Sequence, residues 1–160
     1  MKLLLAVSLF ISIGTLCSAY IISNSLVNGN EIQTIYSSIN DFEEKNPGVK
    51  IIPMDTYSNH FNLSRSYSLG SRQTGDAVVA NINKNNKWPV VQNVTTTLTY
   101  PSSGGNGAFL TYVLINCEQS SNIGQAYVTY GGVHQHFIQI IVEAHVTSFF
   151  NYAAFFYGIK

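Results

Sequence analysis

Three histidines lie close together late in the chain, and imidazole is the side chain most readily recruited for metal binding or proton transfer near neutral pH. His134 and His136 stand at i and i+2 on one face of an expected strand, with His145 on the opposite face. Two imidazoles without a converging third ligand make a poor zinc site. They are therefore read as strand-end histidines at the rim of the core, and no metal or cofactor is expected. Hydrolytic chemistry finds no support either, because the chain has neither a Gly-x-Ser-x-Gly elbow nor a His-Glu-x-x-His pair. Nor do carboxylates pair: Glu31, Asp41, Glu43 and Glu44 fall on an expected helix, Asp55 and Glu118 in loops, and Asp76 and Glu143 on separate strands. No catalytic residue is assigned, and the expectation is a protein that is not an enzyme.

Other residues have chemistry of a different kind. Arg72 and Asp76 flank a turn and are expected to pair across it as a hairpin lock. Asn62-Leu63-Ser64 and Asn93-Val94-Thr95 are acceptor triplets for N-linked glycans, meaningful only in a secreted chain. Asn62 lies in a polar stretch and is the better exposed by this reading, whereas Asn93 sits in a strand and has to face solvent to be used. Trp88, the only tryptophan, stands beside Lys84 and Lys87 in an expected loop. That makes the three a candidate protein interface, with packing of the indole back onto the sheet as the alternative.

The address is written at the N-terminus. Lys2, an apolar run over residues 3–16 and the small-residue site Cys17-Ser18-Ala19 form a secretory signal, with cleavage expected after Ala19. The mature chain is then extracellular and begins at Tyr20, and Cys117 is left as its one cysteine. A buried thiol or a disulfide to another chain both fit that count. No membrane association is expected after cleavage, because the later apolar stretch, residues 137–157, is interrupted by Gln139, Glu143, His145 and Asn151. The whole chain carries eight basic and eight acidic side chains, and losing Lys2 leaves seven against eight. The basic residues are scattered, which excludes the dense footprint of a nucleic-acid partner.

Periodicity supplies the elements. Ile32, Ile35, Tyr36, Ile39 and Phe42 recur at spacings of three and four, predicting an amphipathic helix over 31–45 capped by Asn28 or Asn30 and stopped by Asn46-Pro47-Gly48. A short strand is predicted over 49–54, then a polar linker over 55–66. From Tyr67 onward the pattern is all β, with strands predicted over 76–82, 90–100, 108–116, 124–130, 135–146 and 151–157. Turns are placed at Asn83-Lys84-Asn85-Asn86, residues 101–107, residues 118–122 and Gly131-Gly132. On the fifth strand Ile138, Ile140, Val142, Ala144 and Val146 share the face that should line the core. The predicted class is mainly β: a small antiparallel sandwich or meander over 67–160, preceded by the signal (1–19) and a helix-strand extension with linker (20–66).

The part from Tyr67 to Lys160 resembles the insect family named after multiprotein bridging factor two. Leu69-Gly70-Ser71-Arg72, Gly75-Asp76, the strand into Tyr100, Tyr127-x-x-Tyr130-Gly131-Gly132 and the closing Tyr157-Gly158 carry the likeness. His134 and residues 147–150 depart from the family's pattern of glycine and basic residues. The resemblance implies a structural role for Gly70, Arg72, Gly75, Asp76, Gly131, Gly132, Tyr157 and Gly158. Its name implies transcription co-activation, while the signal peptide points outward. The expected function is a small secreted non-enzymatic protein that binds another macromolecule, foreseen as a host protein if the chain is a salivary effector. Co-activation and carriage of a small ligand inside a β structure are the alternatives. Oligomeric state is not set by the sequence.

Overall fold

Alternation of apolar and polar residues runs through the last part of the chain, and it builds one long strand rather than two. The computed structural model describes residues 36–59 and 63–160, all within one compact unit. Its elements are α1 (Ile39–Lys45), β1 (Ile52–Pro53), β2 (Asp55–Asn59), β3 (Ser64–Gly70), β4 (Ala77–Tyr100), β5 (Phe109–Gln119), β6 (Ile123–Gly131) and β7 (Ile138–Ile159). The signal segment, the caps Asn28 and Asn30, the start of the expected helix and Asn62 lie outside the described residues.

All strands pair antiparallel in a single seven-stranded sheet, in the order β1-β6-β7-β5-β3-β2 with β4 joined to β7. Only Met54 separates β1 from β2, so the two ends of this order are one short stretch of chain. Met54 N–H donates to Ala126 O at 2.9 Å and Gln125 Nε2 donates to Met54 O at 3.0 Å, which holds the sheet near a closed barrel. Residues 55–66, expected as a linker, instead supply β2 and the first residues of β3, because Thr56 and Tyr57 find partners in Tyr67 and Ser66. Likewise Asn83, Lys84, Asn85 and Asn86 form no turn. They stay in β4 opposite Ala153, Tyr152, Asn151 and Phe150, since polar side chains are tolerated along an edge strand whose partner supplies the ladder.

β7 decides the shape. Its first half pairs with β6 and its second with β5, while β4 follows it along both. Ile138, Ile140, Val142, Ala144, Phe150, Tyr152, Ala154 and Phe156 all enter the core. Each large one stabilises the fold by about 1.5–3 kcal/mol through removal of apolar surface from water. Yet the turn leading into this strand and its far end meet at one residue: Leu110 is paired with Gly158, while its N–H donates to Gln135 O at 2.9 Å. The sheet is therefore folded over at the middle of β7, and Tyr67, Leu98, Phe150 and Phe156 fill the space between.

An elbow at one level in the two long strands, β4 and β7, makes this fold-over. Val146 has φ 54 and is 57% exposed, so it leaves the core face predicted for it. A β-branched residue in the left-handed region is strained, and the bend recovers that cost through hydrogen bonds. Asn93 Oδ1 accepts from Val146 N–H at 3.0 Å. Thr147 Oγ1 accepts from Ser120 N–H at 3.0 Å and donates to Phe149 O at 2.5 Å, and Ser148 N–H donates to Ser120 Oγ at 2.7 Å. Opposite, Lys87 pairs with Phe149 and Gln92 with Thr147, so residues 88–91 bulge out against Ser148 alone.

The helix is shorter than its periodicity predicts. Ser38, not an upstream asparagine, is the N-cap, its hydroxyl accepting from Asp41 N–H at 3.1 Å. α1 lies on the outer face of the sheet. Phe42 is fully buried there, edge-on to Tyr36 at 4.8 Å and to Tyr130 at 5.8 Å. Ile39 N–H donates to Glu143 Oε1 at 2.6 Å, and Thr95 Oγ1 donates to Ser37 O at 2.8 Å. This cover explains why Ile141 and Glu143, on the face away from the main core, are buried as well.

Candidate functional site

Folding the sheet at the elbow gathers the turn of β3–β4, the start of β5, the turn of β6–β7 and the end of β7 at one end of the molecule. Asp76 is the hub. Its carboxylate accepts from Arg72 Nε, Gln73 N–H and Thr111 Oγ1, each at 2.8 Å, and Arg72 reaches it with a second nitrogen at 2.6 Å. The Asp76 side chain is shut off from solvent while that of Arg72 stays half exposed. The guanidinium lies 3.9 Å above the Tyr157 ring, and Tyr157 in turn contacts Tyr112 at 5.7 Å. The pair spans the turn around Gly75 and ties β4, β5 and β7 together.

Donors on three sides hold the Asp76 carboxyl below its ordinary range. The Arg72 hydrogen bond contributes most, then the Gln73 N–H, with Thr111 adding to them against the opposing effect of burial. A carboxylate whose folded pKa is depressed adds stability above its unfolded pKa of about 4, and that stability is lost as pH falls through the folded value. Asp76→Asn is accordingly expected to lower Tm at pH 7, with parent and variant converging in acid. A constant gap in melts taken from pH 7 downward would refute this role.

Gly70 ends β3 with φ 77, where an added Cβ would collide with Thr111 O and lie 2.8 Å from Val133 Cγ1. Backbone therefore approaches backbone at the place where Thr111 meets Asp76. Gly158 lies opposite Leu110 and Ala77, its Cα facing Phe109 O across the ladder. Gly131 and Gly132 close β6, and Gly132 N–H donates to Phe137 O at 3.1 Å. Residues 135–137 belong to this turn and not to a strand, so His134 and His136 are not strand neighbours. They flank Phe109 edge-on, at 5.9 and 5.7 Å, and His136 Nδ1 contacts Gly107 O at 2.9 Å. No group of three His, Cys, Asp or Glu placed to hold a metal occurs among the described residues.

The other candidates separate. Trp88 sits in the elbow bulge, half-buried against the core, with Lys84 and Lys87 exposed on β4. Val90 and Val91, missed in the sequence, are the exposed apolar residues of that bulge, at 66% and 58%. Cys117 is buried, and burial pushes its thiol up to about 12, leaving it a packed hydrophobe out of reach of another chain. Thr111 and Tyr112 were also missed, since a Thr-Tyr pair in a strand looks like any other.

The family profile described as transcription activator MBF2 matches residues 69–158. The chain belongs to the MBF2 family. No curated protein and no solved structure matches it. The MBF2 segment opens at the end of β3 and closes at the end of β7, so it contains the whole Asp76 cluster and all the glycines just described. α1, β1 and β2 precede it, yet they supply the outer cover over Glu143 and the stretch that brings the sheet ends together.

Proposed function

We propose that this MBF2 protein is secreted and non-enzymatic and acts by binding an extended segment of a partner protein along the free edge of β4. One observation carries the reading: among the described residues this 24-residue strand pairs with β7 alone. Its other edge offers a row of N–H and C=O groups, the template for strand addition. Lys84 and Lys87 lie exposed beside that edge and favour an acidic segment, and the bulge at 88–91 limits pairing to the first half of the strand. The signal read in residues 1–19 supports an extracellular partner. A salivary role directed at a host protein is the finer form of the proposal, and expression confined to a non-secretory tissue overturns it.

The family's description as a transcription activator favours a second reading, transcription co-activation. One experiment separates them. Full-length protein with a C-terminal tag, expressed in insect cells, is expected in the medium as a chain starting at Tyr20. Capture from extracellular fluid should weaken when Lys84 and Lys87 are both changed to Glu. Equal capture by that variant rejects the β4 edge, and nuclear protein that retains residues 1–19 selects the co-activator.

A further inference from the structure

We propose that Asn93 carries an N-linked glycan and that this glycan covers the apolar elbow formed by Val90, Val91 and Val146. The inference rests on the secretory reading above, because the transfer takes place only on chains that enter that pathway. An acceptor triplet by itself is a weak signal; the geometry of the elbow strengthens it. Asn93 is exposed and sits where the β4–β7 register slips between Gln92 and Val94, so it is lifted out of the regular ladder.

Its carboxamide has a fixed orientation. Val146 N–H needs an acceptor and takes Asn93 Oδ1 at 3.0 Å, which leaves Asn93 Nδ2 without a protein partner among the described residues. In the transfer, Nδ2 forms a bond to the anomeric carbon of a lipid-pyrophosphate-linked oligosaccharide. The bond from that carbon to the pyrophosphate oxygen breaks, lipid pyrophosphate leaves with the electron pair, and the amide gives up one proton. Oδ1 is untouched, so the bond that holds the elbow at Val146 persists in the glycosylated protein.

The sugar also has something to cover. Val91 is two residues away and Val146 is the hydrogen-bond partner, and with Val90 they are 58%, 57% and 66% exposed. Valines this exposed around a bulge form an apolar patch on which a second molecule would otherwise settle. The apolar faces of the first sugar rings suit it. A glycan there also leaves the first half of β4 clear, upstream of the bulge.

The test uses secreted protein from insect-cell medium, digested with trypsin before and after a glycosidase that converts the carrier Asn to Asp. Cleavage at the basic residues puts Asn62 in the peptide 51–65 and Asn93 in the peptide 88–160. The expected result is a glycan on 88–160 and an Asp at position 93 after release, lost in Thr95→Ala and kept in Thr95→Ser. Removing the sugar from the folded protein should raise binding of a hydrophobic dye. A secreted chain with an unmodified 88–160 peptide overturns the site, while unchanged dye binding overturns the covering role. A chain retained in the cell at full length overturns the secretory reading itself.

Discussion

Gly131→Val is expected to lower Tm by about 10 °C or more. Two costs act together. Gly131 has φ 65, and holding a β-branched residue there costs about 1–3 kcal/mol. Its Cβ would also run into Phe137 O and come within 2.7 Å of the Phe137 ring. That carbonyl cannot yield freely, because it accepts from Gly132 N–H, a bond worth about 1 kcal/mol net. The sum is about 3 kcal/mol or more, out of a typical stability of about 5–15 kcal/mol. Gly132→Ala meets nothing within 4 Å and has only its φ of 151 to oppose it, so its loss should be smaller. Melts followed by circular dichroism check the order of the two. Equal Tm values for Gly131→Val and the parent would show that the turn is not built as described.

Phe42→Ala should cost up to about 3–5 kcal/mol, and the loss should be local before it is global. A helix as short as α1 does not persist in water alone, and Phe42 is its one fully buried residue. Without that ring, Tyr36 and Tyr130 lose their edge contacts, and the Ile39 N–H bond to Glu143 loses the packing that keeps it dry. Hydrogen exchange read by peptide should show residues 39–46 losing protection while the second half of β7 keeps it. Unchanged protection over 39–46 would mean that α1 is held by something other than Phe42.

What could be read in advance depended on how local the cause was. The β class, the glycine turns and the apolar face of Ile138, Ile140, Val142 and Ala144 follow from alternation and backbone chemistry within a few residues. The family likeness was legible for the same reason, since Gly70, Gly75 and Gly131 mark positive φ at fixed places. The elbow was not legible. Thr147, Ser148 and Phe149 look like a loop between strands until Ser120, far away in sequence, supplies the hydrogen bonds that make them a bend within one strand. Asn83 to Asn86 read as a turn because their ladder comes from β7, which the local pattern does not contain. In the motif cluster the Arg72–Asp76 pair lies within one turn, whereas its third partner, Thr111, arrives from another strand.

Because β7 is synthesised after every strand it pairs with, timing in the cell follows from the pairing. β4 leaves the ribosome before it and, among the described residues, has no neighbour to pair with until β7 emerges. Ala77 then waits for Gly158, 158 − 77 = 81 residues downstream. Pairing across such separations belongs to the slow end of folding, milliseconds to seconds. During that interval the nascent chain exposes the Val-, Ile- and Phe-rich segments of β4, β5 and β6 with their edges open, the state most vulnerable to capture by other unfinished chains. Loss of Tyr157 and Gly158 would remove the residues that start the ladder with Ala77 and Val78, and would leave β4 and β5 without their shared partner at that end.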